Sequence, residues 1–226
     1  MPKYTREEVA AAVDLAALMP QHTSVDVSLC CQKAIRFGCA SVCVPPYHVP
    51  IAARLLEDYP VGVGTVVGFP HGSDSPEIKE QACITALDCG ATEIDMVLNI
   101  AAMLDGDWET VEAEIEGAVR VCHDDGALLK VILETCYLKD RYIANACVCA
   151  ANLGVDFVKT STGYGPGGAT PEAVKIMLNA VGPQCQVKAS GGIATYADAE
   201  LYLGLGCTRL GSSRIEELMP DYTRGK

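Results

Sequence analysis

Lysine is the residue type around which the chemistry of this chain gathers. Residues 156–170, DFVKTSTGYGPGGAT, end a short apolar run on Lys159 and follow it at once with hydroxyls and glycines. A lysine at the end of a buried strand lies against an apolar wall, where desolvation disfavours the ammonium form and lowers its pKa. An amine that is neutral near pH 7 attacks carbonyls and forms Schiff bases. For a solitary lysine, a side chain reaching water is the better explanation. Here the pattern recurs: Lys188 stands in QCQVKASGG, Lys130 in LLKVIL, and the carboxylates Glu93 and Asp95 in EIDMVL.

Such side chains need a frame that gathers distant segments. Short continuous apolar runs, the mark of strands covered on both faces, fall at 12–16, 40–44, 61–67, 93–98, 128–133, 155–159, 184–189 and 207–210. Helical patterns lie between them. Their boundaries are signalled by Ser24 and Gly38, Ser75-Pro76 and Gly90, a cap at Asp107, a stop at Gly154, Thr170-Pro171, and Thr195 with Asp198 three residues on. Eight strand–helix units in 226 residues predict a (β/α)8 TIM barrel, one domain spanning 1–226. A doubly wound open sheet is the competitor, but no G-x-G-x-x-G follows the first strand.

Alternation along such strands puts Phe157 with Lys159, Lys188 with Ser190, Glu93 with Asp95, and Lys130 with Glu134 on common faces. Three lysines and at least one aspartate then point into one barrel mouth, where charges are costly unless paired or used. Two lysines on adjacent strands are expected to depress each other's pKa, with Asp95 balancing the remaining charge or passing protons through a water. A purely structural Lys–Asp network is the alternative. Glycines at 190–192 and 210–213 free backbone N–H groups suited to an oxyanion or phosphate, with Arg214 beside them, although turn chemistry alone also calls for glycine. Cys43, at the end of the second strand, reads as a buried thiol facing the barrel mouth. The four histidines, His22, His48, His71 and His123, sit in loops or at helix ends in no nucleophile motif, and receive no catalytic role.

Composition narrows the class. A formal net charge of −12 argues against general nucleic-acid or membrane binding, so an anionic substrate must be held by local donors. No apolar run reaches the length of a membrane span and the N-terminus carries no signal-peptide pattern, so a cytoplasmic protein is expected. The 12 cysteines are scattered among small apolar residues and read as free thiols. Cys147 and Cys149 form C-x-C without a second pair at zinc spacing, and no metal is expected.

DFVKTSTG, KASGGI, EIDMV and KVILETC, with ASVCVPPY, TVVGFPHG, GGAT and RLGSS, resemble the deoxyribose-phosphate aldolases from about Ala10 to Arg214. The resemblance implies a class I aldolase on a (β/α)8 barrel. It would reversibly cleave 2-deoxy-D-ribose 5-phosphate to D-glyceraldehyde 3-phosphate and acetaldehyde, in deoxyribonucleoside catabolism, with no cofactor. By match, Lys159 would be the Schiff-base lysine, Lys188 the second lysine that lowers its pKa, and Asp95 the acid of the proton relay. Lys130 would line the site; Gly163, Gly191, Gly192 and Ser213 would contact phosphate, and Asp14 would bind substrate. The partners the resemblance implies are a phosphorylated sugar, aldehydes and a second copy in a homodimer. The chain departs from the family pattern at Ala16, where a hydroxyl is usual, at Arg214, where a second serine often stands, and at Tyr164, where phenylalanine or lysine is commoner. Two other readings are a Schiff-base barrel enzyme for a different aldehyde, and a sugar-phosphate-binding barrel without turnover.

Overall fold

The computed structural model describes residues 3–220. Eight parallel strands close into a barrel in chain order: β1 Val13–Ala16, β2 Ser41–Val44, β3 Gly62–Val67, β4 Glu93–Val97, β5 Leu128–Ile132, β6 Phe157–Lys159, β7 Gln186–Ser190 and β8 Arg209–Ser212. β8 closes the ring on β1, with Asp14 opposite Gly211 and Leu15 opposite Ser212. The fold is the expected TIM barrel.

Helices surround it. α1 Arg6–Ala11 precedes β1, α2 Ser24–Phe37 and α3 Val49–Leu56 follow β1 and β2, and α4 Pro76–Asp88 follows β3. Between β4 and β5 lie α5 Ile100–Asp105 and α6 Trp108–Asp124. α7 Asp140–Asn152, α8 Pro171–Ala180, α9 Tyr196–Leu205 and α10 Ile215–Leu218 complete the order. Local sequence sets their starts. Thr5 with Glu8, Thr23 with Asp26, and Thr195 with Asp198 each form a reciprocal capping box, satisfying N–H groups that have no partner inside the helix. Gly38 ends α2 in the left-handed conformation (φ 74°), which a side chain would strain. α5 has no counterpart among the helical patterns expected from sequence; its cap is the Asn99 side chain accepting from Ala102 N at 3.1 Å.

Strand alternation divides the core. Leu15, Val42, Ile94, Met96, Leu129, Val131, Val158, Val187 and Leu210 are buried in the apolar layer shared with the helices. Each fully buried side chain of this kind contributes about 1.5–3 kcal/mol. The opposite faces point into the barrel, which small barrels ordinarily fill with Val, Ile and Leu. Here Asp14, Glu93, Asp95, Lys130, Lys159 and Lys188 occupy it, none more than 6% exposed. Among the described residues no helix is long and apolar enough to cross a membrane.

Candidate active site

Parallel register brings the charged side chains level. Lys159 at the end of β6 lies opposite Lys188 on β7, and Asp95 on β4 lies opposite Lys130 on β5. Asp95 Oδ2 accepts from Lys159 Nζ at 2.7 Å and from Lys188 Nζ at 2.8 Å, while its Oδ1 accepts from Lys130 Nζ at 2.9 Å. Lys188 also donates to Asp14. Deeper in the barrel, Lys130 donates to Glu93 Oε2 at 2.6 Å, and Arg209 Nη1 donates to Asp14 Oδ1 at 2.5 Å and to Glu93 Oε2 at 3.1 Å. Ser41 Oγ completes the Asp14 shell at 2.8 Å. Long side chains fit here because some strands contribute none at this level. A Cβ on Gly211 would stand 2.7 Å from Ser190 Cβ, and one on Gly62 would stand 3.0 Å from Glu93 Oε1.

Counting charges in this connected network gives four cations (Lys130, Lys159, Lys188, Arg209) against three carboxylates (Asp14, Glu93, Asp95). A buried cluster is least costly when its charges cancel. One cation is therefore surplus, and the local surroundings identify it. Burial works against the charge of Lys188, but Asp14 and Asp95 outweigh it and hold the ammonium above its ordinary pKa. Lys130 is likewise raised against burial by Asp95, Asp14 and Glu93. Lys159 has Asp95 alone. Burial, helped by the neighbouring Lys188 charge, prevails over that carboxylate and holds Lys159 below the ordinary lysine value. The expectation that the two lysines depress each other is thus half met: Lys159 is lowered, while Lys188 touches two carboxylates, Asp14 and Asp95, and is raised. Asp95 and Asp14 resist burial through the same cations and stay ionised.

Above Lys159 and Lys188 opens a cavity of about 360 Å3 at the C-terminal ends of the strands. Asp14, Ala16 and Cys43 share its deep end with the two lysines, Thr162–Tyr164 form one wall, and the far wall runs through Ser190–Ala194 and Gly211–Arg214. Burial pushes the Cys43 thiol up to about 11. The wall after β6 is tied down by Glu134, a non-glycine residue in the left-handed region (φ 54°) whose carboxylate accepts from the N–H and hydroxyl of Thr162. Across the cavity, Gly168 packs so closely on the Gly191 loop that a Cβ would lie 2.2 Å from Gly191 O. Gly191 and Gly192 themselves have φ of 86° and 84°. Tyr164 crosses the mouth, donating from its hydroxyl to Leu18 O at 2.7 Å and meeting the Phe69 ring edge-on.

A buried lysine held below its ordinary pKa lies beneath this glycine-lined cavity. The model of the DeoC/LacD family aldolases matches residues 8–203. This chain belongs to that family. A deoxyribose-phosphate aldolase from Thermococcus gammatolerans is 45% identical over 208 residues, covering 91% of this chain and 92% of the relative. One from Thermococcus kodakarensis is 44% identical over 221 residues, covering 96% and 99%. The tetrameric deoxyribose phosphate aldolase structure from Aeropyrum pernix superposes with a TM-score of 0.88 at 31% identity, covering 95% of this chain and 90% of that one.

Within this DeoC/LacD aldolase, the residues singled out from sequence fall in two levels. Lys159, Lys188 and Asp14 border the cavity, Asp95 stands directly behind them, and Gly163, Gly191, Gly192 and Ser213 are on its walls. Lys130 stands behind the cavity wall, its ammonium shared between Glu93 Oε2 at 2.6 Å and Asp95 Oδ1 at 2.9 Å. Asp95, expected as the acid of a proton relay, accepts from all three lysines, whose charges outweigh burial and hold its carboxyl well below the usual range. Sequence reading assigned no role to Arg209 or Glu93. Glu93 is in phase with Asp95, and that is the available signal; Arg209 falls inside the expected last strand, 207–210, with no charged in-phase neighbour on that strand to mark it. His22 borders the cavity with Nδ1 buried and unpartnered. Among the described residues no group of three or more His, Cys, Asp or Glu side chains is arranged to hold a metal ion.

Proposed function

We propose that this protein is a class I aldolase that reversibly cleaves 2-deoxy-D-ribose 5-phosphate to D-glyceraldehyde 3-phosphate and acetaldehyde, serving deoxyribonucleoside breakdown. The observation that carries the reading is the position of Lys159: the one barrel amine held below its ordinary pKa lies at the floor of the cavity. Family membership and the names of the relatives support the substrate.

In this mechanism Lys159 Nζ attacks the C1 aldehyde, and the carbinolamine loses water to give an iminium ion. Loss of the 4-hydroxyl proton lets the C3–C4 bond break, its electron pair passing into the iminium to form an enamine as D-glyceraldehyde 3-phosphate leaves. Protonation of the enamine carbon and addition of water release acetaldehyde and restore the amine. Lys188, held protonated beside Lys159 by Asp14 and Asp95, is the acid, with water as carrier. Asp95 orients both ammonium groups. The phosphate lies toward Gly163, Gly191, Gly192 and Ser213, with Arg214 adjacent. A homodimer is part of this reading, and light scattering measures it directly.

Acetaldehyde release from 2-deoxyribose 5-phosphate, coupled to an alcohol dehydrogenase, tests the function. Turnover is expected, falling at least about 10³-fold in Lys159→Leu. Calorimetric binding of the sugar phosphate without turnover would make the protein a binding barrel, and turnover confined to another aldehyde would keep the chemistry but change the substrate.

A further inference from the structure

We propose that Arg209 and Glu93, which lie beneath the cavity and touch no substrate, are positioning residues that decide which of the four barrel cations goes without a proton. The inference rests on Lys159 being the working amine, and its argument is geometric. Arg209 enters from the base of the barrel. Its Nη1 reaches Asp14 Oδ1 at 2.5 Å and Glu93 Oε1 and Oε2 at 3.2 and 3.1 Å, its Nη2 reaches Glu93 Oε1 at 3.3 Å, and its guanidinium lies 5.4 Å from the centre of the Phe157 ring. Neither residue borders the cavity.

A guanidinium does not lose its proton in proteins, so Arg209 is a fixed charge at the bottom of the network. Glu93 is shared between Arg209 and Lys130, and Asp14 between Arg209 and Lys188. Every carboxylate is therefore engaged by more than one cation, and only Asp95 is left to reach Lys159. With Lys159 neutral the remaining charges are three positive and three negative. The nucleophile is thus uncharged as the remainder of a count that Arg209 and Glu93 close from the far end.

The charged and titratable groups around Lys159 are Asp95 on β4, Lys188 on β7 and Cys43 on β2; its register partner on β5 is the apolar Ile132. Behind these stand Asp14 on β1, Lys130 on β5, Glu93 on β4 and Arg209 on β8. Glu134 is turned to Thr162. Removing Arg209's charge leaves two cations against three carboxylates beside Lys159, which favours the ammonium. Removing Glu93's charge leaves three against two, which disfavours it. Removing both leaves two against two, the original balance.

The test reads the lysine itself. Protein labelled with 15N at lysine Nζ is titrated, the Lys159 resonance being assigned by its loss in Lys159→Leu, and the pH dependence of acetaldehyde incorporation with cyanoborohydride is measured in parallel. For buried charges about 10 Å apart, the midpoint should rise by about one pH unit in Arg209→Gln and fall by about one in Glu93→Gln. Arg209→Lys, which keeps the charge, should stay near wild type, and the double variant Arg209→Gln/Glu93→Gln should return toward it. Shifts of the same sign in the two single variants, no shift in either, or a double variant displaced further than both would overturn the proposal, because a merely structural role predicts no opposed signs. Should Arg209→Gln not fold, the fall in Glu93→Gln and the constancy of Arg209→Lys decide the matter. Opposed midpoints without any aldehyde adduct would sustain this inference and sink the aldolase reading; adducts with unmoved midpoints would do the reverse.

Discussion

Arg214 and Lys159 mark the two ends of the cavity, and their charges have opposite tasks. Lys159 must shed a proton to work, whereas Arg214 keeps its charge at the rim, where its Nη1 meets Glu217 at 3.2 Å. Apart from Lys159 and Lys188, Arg214 is the one cation bordering the cavity among the described residues. In a chain of net charge −12, a phosphate depends on such local donors together with the backbone of the glycine loops. An exposed charge-assisted hydrogen bond is worth roughly tenfold in affinity. Arg214→Ser should therefore raise KM for 2-deoxyribose 5-phosphate about tenfold and leave KM for unphosphorylated 2-deoxyribose unchanged. Steady-state kinetics on both sugars checks this, and an equal effect on the two would place the phosphate elsewhere. At this scale the sequence was informative wherever a charged residue interrupted an apolar run in strand phase, as Lys159, Lys188 and Asp95 do. It was silent on Lys130's partners, because strand phase alone does not show that its ammonium bridges Glu93 and Asp95 on the neighbouring strand.

The elements carrying these residues are braced from outside the barrel by a second buried ion pair. Lys79 on α4 donates to Glu114 on α6, and both side chains are fully buried. Lys79 Nζ also donates to Val97 O at 2.9 Å, and Glu114 Oε1 accepts from Asn99 N at 2.7 Å. Two helices are thereby pinned to the end of β4, two residues beyond Asp95. Breaking such a pair strands one charge, whereas replacing both partners with apolar residues removes the desolvation cost as well. Lys79→Met should lower unfolding stability by about 3–5 kcal/mol, and Lys79→Met/Glu114→Leu should recover most of it, as read by denaturant melts. A double variant no better than the single would show that the hydrogen bonds to Val97 and Asn99 dominate. Nothing in PEIKEQACITALD distinguishes Lys79 from a solvated helix lysine, so this brace was illegible in sequence. Strand edges were blurred for a related reason. Strands covered on both faces lack alternation, and β8 starts at Arg209, two residues later than the apolar run suggests.

Across the whole molecule, the barrel and its charge network depend on one another. The strand–helix rhythm, eight times over, made the fold legible before any side chain was placed. The ionic interior was only partly so, since its balance draws on β1, β4, β5, β6, β7 and β8 together, and no single segment reports the sum. Closure of β1 on β8 brings Asp14 to Lys188 and Arg209, residues separated by most of the chain. The consequence of that closure is one amine, Lys159, that reaches a single, shared carboxylate, set beneath a cavity lined with glycine and hydroxyl groups. Reduction with borohydride in the presence of acetaldehyde, followed by peptide mass spectrometry, examines that consequence most directly. An ethyl group on Lys159, absent from Lys159→Leu, is the predicted result; no adduct on folded protein, or an ethyl group on Lys188 instead, would contradict the assignment of Lys159 as the nucleophile.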